Sequence, residues 1–327
     1  MRQYIITILC LLCGLFARSQ SALTPEQAGS IYYAYPAPPE VFTPAPAGYE
    51  PFYISHYGRH GSRWMTADER YTEVVSVFDS LYQCSGLTPL GIDVRERLHK
   101  VWEDARGCSG SITPLGERQH REIAERMFRN FPQVFRGDVQ IDARSSTSVR
   151  CVLSMSYFTE RLKELNPALH VDRRAYQRYM DYIAYTSPEG EKFTSEESPW
   201  RRSFREFEKR NVRPERLMAS LFINPAAITN QDAMMRSLYW IAADMQNVEL
   251  DLSFYDIFEY EELIGIWKTV NARMYVCNAA APLNGGLMPR CAVPLLRNIL
   301  ESADAAIRKG TPAADLRFGH DTHLIRL

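Results

Sequence analysis

The chain has 327 residues, of which 46% are apolar, enough to bury a substantial core in one large domain or in two of ordinary size. Its 38 lysines and arginines nearly balance its 39 aspartates and glutamates, and no long basic run occurs. This composition supports neither general affinity for nucleic acid nor adsorption to membrane surfaces, so any preference for anions has to be local.

Residues 1–21 have the pattern of a secretory signal peptide. Arg2 is followed by an apolar run from Tyr4 to Phe16 and then by small and polar residues, with cleavage expected near residues 19–21. No later stretch reaches ~18 uninterrupted apolar residues, the length of a membrane span. We therefore expect a periplasmic or secreted protein with no stable membrane insertion after cleavage. A lipid anchor on Cys10 or Cys13 is the less favoured alternative, because neither follows a small residue directly.

Five cysteines remain after the predicted cleavage, and they form no CxxC pair that would indicate a zinc site. In an oxidising compartment, Cys84 with Cys108 and Cys277 with Cys291 are plausible bridges. The odd cysteine, on that pairing Cys151, is expected to be buried as a small apolar residue. Pairing cannot be read from sequence, so these bridges are hypotheses.

Residues 22–50 are rich in proline and alanine and predict an extended arm over the surface. After it, three short apolar segments, 52–55, 139–141 and 316–318, each precede a polar loop and a helix. Between the first two, Thr113 is placed to cap a helix whose first turn holds Pro114. Alternating strands and helices of this kind predict an α/β layer with a largely parallel sheet, whose ligand sites form at the carboxyl ends of the strands.

From residue 171 to 290 the pattern becomes helical, which predicts a helical insertion, or cap, domain. The α/β domain is then built from residues 51–170 plus 291–327. A further helix is predicted from Val293 to Lys309, because Pro294 stands in its first turn and Gly310 follows its last basic residues.

The stretch YISHYGRHGSRW, residues 53–64, places His60 between Arg59 and Arg63. Neighbouring guanidinium charges disfavour protonation of an imidazole, whose ordinary pKa is ~6.5, and so keep a ring nitrogen free to attack. The same arginines offer charged forks to the oxygens of a phosphomonoester. Gly58 and Gly61 permit a tight turn and a close backbone approach after the strand. The motif therefore predicts phosphoryl transfer through a histidine.

Several stretches resemble the histidine acid phosphatase family, a branch of the histidine phosphatase superfamily that includes phytases and multiple inositol polyphosphate phosphatases. The R-H-G-x-R of residues 59–63 looks like the family signature. ITPLGERQH at 112–120 is similar to its L-T-x-x-G-x-x-Q helix start, ARSSTSVRCVLSMSYF at 143–158 resembles its R-S-x-x-x-x-R segment, and GHDTHL at 319–324 matches its late H-D motif. The resemblance implies a phosphoglycerate mutase-like α/β fold.

Carried over by residue, the resemblance implies that His60 is the nucleophile and forms a phosphohistidine. It implies that Asp321 protonates the leaving alkoxide and then acts as base for water. The phosphoryl oxygens would be held by Arg59, Arg63, Arg150 and His320. Arg144 either contacts phosphate or packs as support. This chemistry needs no metal and no cofactor, since the arginines neutralise the charge.

Two alternatives stay open at this point. His320 and His323, with Asp321, could ligate a metal from one helical face, as in a metal-dependent hydrolase, although no H-E-x-x-H is present. Chains of the family also continue well beyond the H-D motif, so the resemblance implies a C-terminally truncated member. Such a member could be a non-catalytic exported protein that binds phosphorylated ligands or another chain. The substrate class, phytate and other inositol phosphates or simpler phosphomonoesters, is not fixed by the motifs.

Overall fold

Four parallel strands form one sheet in the computed structural model, which describes residues 23–37 and 43–327. Within those residues the strands are β1 (Ile54–Arg59), β2 (Gln140–Ser145), β3 (His170–Arg174) and β4 (Ala314–Gly319). Their order across the sheet is β1-β4-β2-β3, and every neighbouring pair is parallel. The predicted parallel α/β sheet is thereby confirmed, with one strand, β3, that the sequence did not indicate.

Thirteen α-helices surround this sheet in the described part of the chain. They are α1 (Glu69–Gln83), α2 (Pro89–Ala105), α3 (Pro114–Asn130), α4 (Val149–Leu165), α5 (Met180–Ile183), α6 (Pro188–Thr194), α7 (Trp200–Asn211), α8 (Glu215–Leu221), α9 (Gln231–Asp244), α10 (Tyr260–Asn278), α11 (Leu287–Arg290), α12 (Val293–Lys309) and α13 (Asp321–Leu324). The two predicted helix ends are confirmed: the Thr113 hydroxyl accepts from the Gly116 amide at 3.2 Å, and Gly310, at φ +69°, ends α12.

The central strand β4 packs on helices on both of its faces, against a hydrophobic core on one and against α12 on the other. Leu316 and Phe318 on one side belong to the core beneath α3 and α4, together with Ile141 and Phe158. On the other side, Arg317 is fully buried and its guanidinium donates to Asn298 Oδ1 at 2.8 Å and to Ser302 Oγ at 2.9 Å, both on α12. Since successive side chains of a strand point to opposite faces, helices cover both sides of the sheet.

A second hydrophobic core joins helices from two distant parts of the chain. It unites α1 and α2 with α8, α9 and α10, with Phe78, Leu98, Phe222 and Tyr239 among its most buried members. Helices α1 and α2 lie outside the range 171–290 expected for the cap, and the range begins inside β3. The domain boundaries remain a prediction.

All five cysteines that the structure describes are free, so neither suggested bridge is formed. Cys84 is exposed and Cys108 is half-buried, whereas Cys277 and Cys291 are both buried. Cys151 is fully buried against the sheet, as expected for the unpaired residue.

The N-terminal region is only partly extended. Residues 1–21, the predicted signal peptide, lie outside the described residues. Within the predicted arm, Gln27–Tyr32 form a 3-10 helix, and residues 43–50 are exposed coil and turn. Among the described helices, none has the length and apolar character needed to cross a membrane.

Candidate active site at the carboxyl end of the sheet

The two histidine motifs follow neighbouring strands and therefore meet. Arg59 is the last residue of β1 and Gly319 the last of β4, and the two strands are paired in parallel. The His60 amide donates to the Gly319 carbonyl at 3.1 Å, which places the His60 and His320 rings 5.7 Å apart, centroid to centroid. Strand β1 extends beyond the apolar segment 52–55, so Gly58 lies within the strand and not in a turn.

The start of α3 holds the loop that carries His60. The Ser62 amide donates to Gln119 Oε1 at 2.8 Å, and Gln119 Nε2 donates back to Ser62 Oγ at 3.0 Å. A Cβ on Gly61 would stand 2.5 Å from the Gly116 carbonyl oxygen, and one on Gly116 would stand 2.2 Å from that of Ser62. Both glycines are thus needed for the close approach of the two backbones. This contact explains why the R-H-G-x-R and L-T-x-x-G-x-x-Q-like stretches occur in one chain.

Burial and positive neighbours keep His60 neutral. The residue is 8% exposed, and its pKa is lowered to about 2 by burial and by the charges of Arg150 and Arg63. Its Nδ1 lies 2.8 Å from the Gly61 carbonyl oxygen. Because a carbonyl only accepts, Nδ1 carries the hydrogen, and Nε2 is left with a free lone pair. The ring is in the form that a nucleophile requires.

Two arginines next to His60 retain unused donors. The Nε atoms of Arg63 and Arg150 are buried, with no hydrogen-bond partner in the part of the chain that the structure describes. Burial and the nearby charge of Arg63 lower the pKa of Arg150, which opens α4 after the polar loop that follows β2. Buried guanidinium donors without partners are an unfavourable arrangement unless an anion satisfies them. The pair therefore offers two donors that a bound anion would satisfy.

His320 and Asp321 follow β4 on the other side of His60. The Nε2 atom of His320 lies 3.2 Å from Ser146 Oγ, and burial together with Arg150 lowers its pKa to about 4. A carboxylate oxygen of Asp321 lies 3.9 Å from an Nη of Arg59, and its other oxygen accepts from the Thr322 amide at 2.7 Å. The structure thus brings Asp321 within reach of the arginine at the end of β1.

Arg144 does not join this group. Its guanidinium lies 3.0 Å from the Asp142 carboxylate and 3.3 Å from that of Asp315, within the sheet. Of the two arginines in the 143–158 stretch, Arg150 therefore faces the His60 cluster and Arg144 supports the strands.

A cavity of about 790 Å³ opens beside the His60 cluster. Arg63 belongs to both the cluster and the cavity wall, and His323 of α13 also lines the wall. Four further arginines, from four different parts of the chain, line it: Arg70, Arg236, Arg273 and Arg326. Only Glu191 and Glu208 bring negative charge to this wall, so the cavity suits a ligand with several negative groups.

The remaining central histidines are structural. His56 stacks on Phe158 with ring centroids 5.5 Å apart, and His120 packs among Tyr35, Phe158 and Phe318. His120 is 1% exposed, and burial lowers its pKa to about 3. Among the described residues, no group of three His, Cys, Asp or Glu side chains is clustered as in a metal site.

Buried neutral histidines make the fold sensitive to acid. The pKa values of His60 and His120, about 2 and about 3, lie below that of an unfolded histidine, so the unfolded chain binds more protons below about pH 6.5. Their contribution to stability is complete above that pH and is lost as the pH falls toward the folded values. Lowering the pH from 7 to 5 should therefore reduce the free energy of unfolding by about 2 kcal/mol for each of these histidines.

In the His120→Phe variant the free energy of unfolding should fall by about 2 kcal/mol less between pH 7 and pH 5 than in the parent. The phenyl ring fits among the same aromatic neighbours and binds no proton. Urea unfolding at pH 7 and pH 5 measures it. His170→Phe, at an exposed position, is the matched control and should keep the full dependence of the parent. Equal pH dependence in parent and His120→Phe proteins would contradict this account.

Sequence reasoning missed several residues of the site. Tyr35 and Tyr32 lie beneath the guanidinium groups of Arg59 and Arg63, each with the carbon of the guanidinium 4.9 Å from the ring centroid. Ser146 contacts His320, and the cavity arginines other than Arg63 are scattered over some 250 residues. No local pattern marks them, although the tyrosines stand in a composition-biased stretch in which aromatic residues are unexpected.

Comparison with solved structures identifies the fold. The multiple inositol polyphosphate phosphatase of Bifidobacterium longum, solved in complex with inositol hexasulfate, superposes with a TM-score of 0.73 at 16% identity, over 90% of this chain and 80% of that one. The chain has the histidine acid phosphatase fold. The phosphate complex of the same enzyme gives 0.73 at 18% identity, over 90% and 78% of the two chains.

The phytase from D. castellii shares the histidine acid phosphatase fold with this chain, with a TM-score of 0.65 at 16% identity over 95% of this chain and 70% of that one. No protein-family model and no curated protein matches the chain. At these identities the likeness establishes the fold, and what the site does has to be argued from its own geometry.

Proposed function

We propose that this protein is an exported phosphomonoester hydrolase that forms a phosphohistidine on His60 and uses Asp321 as its proton donor. The observation that carries the proposal is the state of His60: a neutral imidazole with Nε2 free, beside two half-buried arginines whose buried Nε donors have no partner in the described residues. Simple anion binding requires the arginines but gains nothing from an unprotonated histidine among them.

In the first step the phosphoryl oxygens occupy the donors of Arg63, Arg150, Arg59 and His320. Nε2 of His60 attacks phosphorus, the bond from phosphorus to the leaving oxygen breaks, and Asp321 gives its proton to that oxygen. The arginines stabilise the charge that develops on the non-bridging oxygens.

In the second step Asp321, now ionised, accepts a proton from water. The water oxygen attacks phosphorus on the phosphohistidine, the bond from phosphorus to Nε2 breaks, and inorganic phosphate leaves with His60 neutral again. Because burial and the charges of Arg150 and Arg63 lower the pKa of His60 to about 2, we expect the nucleophile to stay unprotonated in mildly acidic solution.

The substrate we propose is a phosphorylated small molecule, with inositol phosphates as the first class to test. The cavity next to His60 is large and carries four arginines besides Arg63, which can contact phosphate groups other than the one being cleaved. The similar B. longum structure holds inositol hexasulfate, a ligand with comparable anionic groups. Export rests on the signal-peptide pattern of residues 1–21.

Release of inorganic phosphate by the purified protein from p-nitrophenyl phosphate, inositol hexakisphosphate, a sugar phosphate and a nucleotide tests the proposal. A protein that binds phosphate tightly but hydrolyses none of these esters is the non-catalytic binding protein, and hydrolysis that disappears with a chelator favours a metal-dependent enzyme. Either result contradicts the function proposed here.

The Arg70→Gln variant should separate the two substrate classes. Arg70 lines the cavity on α1, with no ion-pair partner in the described part of the chain, so its charge is free for a second phosphate. We expect KM for inositol hexakisphosphate to rise about five- to tenfold, by more than KM for p-nitrophenyl phosphate. Arg205→Gln, an exposed position outside the cavity wall, is the control. Equal effects of Arg70→Gln on both substrates would remove inositol phosphates from the proposal.

A further inference from the structure

The segment 27–35, called the strap below, connects the helical layer to the end of β1. It begins with the 3-10 helix Gln27–Tyr32, where the Tyr239 hydroxyl donates to the Ala28 carbonyl. Asn247 Nδ2 donates to the Tyr32 carbonyl at 2.9 Å, and the Ala34 amide donates to Gln246 Oε1 at 3.1 Å. Side chains on α9 and just after it therefore anchor the strap near both of its ends.

The far side of the strap holds Arg59 from three directions. Its two terminal nitrogens donate to the Ile31 carbonyl at 3.1 Å and to the Tyr33 carbonyl at 3.0 Å. The Tyr35 ring lies beneath the guanidinium at 4.9 Å, and the Tyr35 hydroxyl donates to the Arg59 carbonyl at 2.8 Å. These contacts fix both the plane and the direction of the guanidinium.

The strap also contacts the second arginine of the motif. The Tyr32 ring lies 4.9 Å beneath the Arg63 guanidinium, and an Nη of Arg63 lies 3.5 Å from the Tyr32 hydroxyl oxygen. Tyr32 is 5% exposed and also packs on Trp240, with ring centroids 5.4 Å apart. One short segment therefore supports both arginines that flank His60.

We propose that the strap is a positioning element of the active site, with Tyr35 as the positioning residue for Arg59. A free arginine side chain samples many rotamers, and ordering it on each binding event costs affinity. The strap orders it beforehand. Each terminal nitrogen of Arg59 donates one hydrogen to a strap carbonyl and keeps a second hydrogen for a ligand, and one of these nitrogens also lies 3.9 Å from Asp321. The inference rests on the function proposed above, since it assigns Arg59 to phosphate binding.

The test compares Tyr35→Leu with Tyr35→Phe and with Tyr49→Leu. Leucine removes the aromatic face, phenylalanine keeps that face and loses only the hydroxyl, and Tyr49 is an exposed tyrosine outside the strap. We expect Tyr35→Leu to weaken binding of inorganic phosphate, measured by calorimetry, about tenfold. KM for p-nitrophenyl phosphate should rise by more than kcat falls, because Arg59 contacts the phosphoryl group in the ground state and the transition state alike. Tyr35→Phe should stay within about threefold of the parent, and Tyr49→Leu should match it.

Parent-like phosphate binding by Tyr35→Leu, or an equal loss in Tyr35→Phe, overturns the positioning role. If the parent binds phosphate but hydrolyses no ester, and Tyr35→Leu still binds it about tenfold more weakly, the strap inference stands while the proposed hydrolase function fails. A parent that binds no phosphate overturns both.

Discussion

The His60→Ala protein is expected to release phosphate from p-nitrophenyl phosphate at least about 10⁴-fold more slowly than the parent. In the proposed mechanism alanine removes the nucleophile, while the arginines assigned to phosphate binding remain. Binding of inorganic phosphate should therefore persist in this variant. Steady-state assays and calorimetry on the same preparation separate the two effects.

The proposed phosphohistidine can be sought directly. Rapid alkaline quenching of the parent with ³²P-labelled substrate should trap a label that survives base and is lost in acid, as expected for a bond between phosphorus and an imidazole nitrogen. His60→Ala should trap none. His170→Ala, at an exposed histidine at the start of β3, should behave as the parent. Retained turnover in His60→Ala would show that another group attacks phosphorus.

Asp321→Asn should discriminate between leaving groups. Asparagine is similar in size to aspartate but has no proton to give, so an alkyl phosphate, whose alkoxide needs one, should be cleaved about 10²- to 10⁴-fold more slowly. p-Nitrophenolate leaves without protonation, so its ester should be slowed far less. The measurement is kcat/KM for a matched series of esters with leaving groups of increasing pKa.

The decisive quantity is the slope of log kcat/KM against the pKa of the leaving group. The parent should show little dependence on leaving-group pKa and Asp321→Asn a steep one. Asp304→Asn, which changes an exposed carboxylate on α12, should keep the slope of the parent. Parallel slopes for the parent and Asp321→Asn would assign the proton to a different donor.

Local signals in the sequence were enough for three of the four strands and for the meeting of the two histidine motifs. Apolar segments at 52–55, 139–141 and 316–318 predicted three of the four strands, and Thr113 and Gly310 fixed two helix ends because caps act within one turn. Parallel strands end at the same edge of a sheet. The predicted strands therefore also imply that residues 60 and 320 lie close together, as the structure shows. Strand β3 was missed because HVDRR is mostly polar and lies at the sheet edge.

Contacts that depend on long-range packing could not be predicted. Tyr32 and Tyr35 meet the arginines only because α9 and the residues after it hold residues 27–35 against the sheet. The helical layer includes α1 and α2, whose packing on α8 and α9 leaves no trace in local periodicity. The resemblance left the role of Arg144 open, and only the carboxylates of Asp142 and Asp315 show that its guanidinium pairs within the sheet.

The contact between Gly61 and Gly116 limits how this site could diversify. The loop that carries His60 meets the start of α3 backbone against backbone, and a Cβ on either glycine would clash there. The wall of the neighbouring cavity is formed by residues from several helices and includes charged, polar and apolar side chains. Changes in ligand preference are therefore open to laboratory evolution through the wall, whereas the backbone that positions His60 leaves little room for substitution.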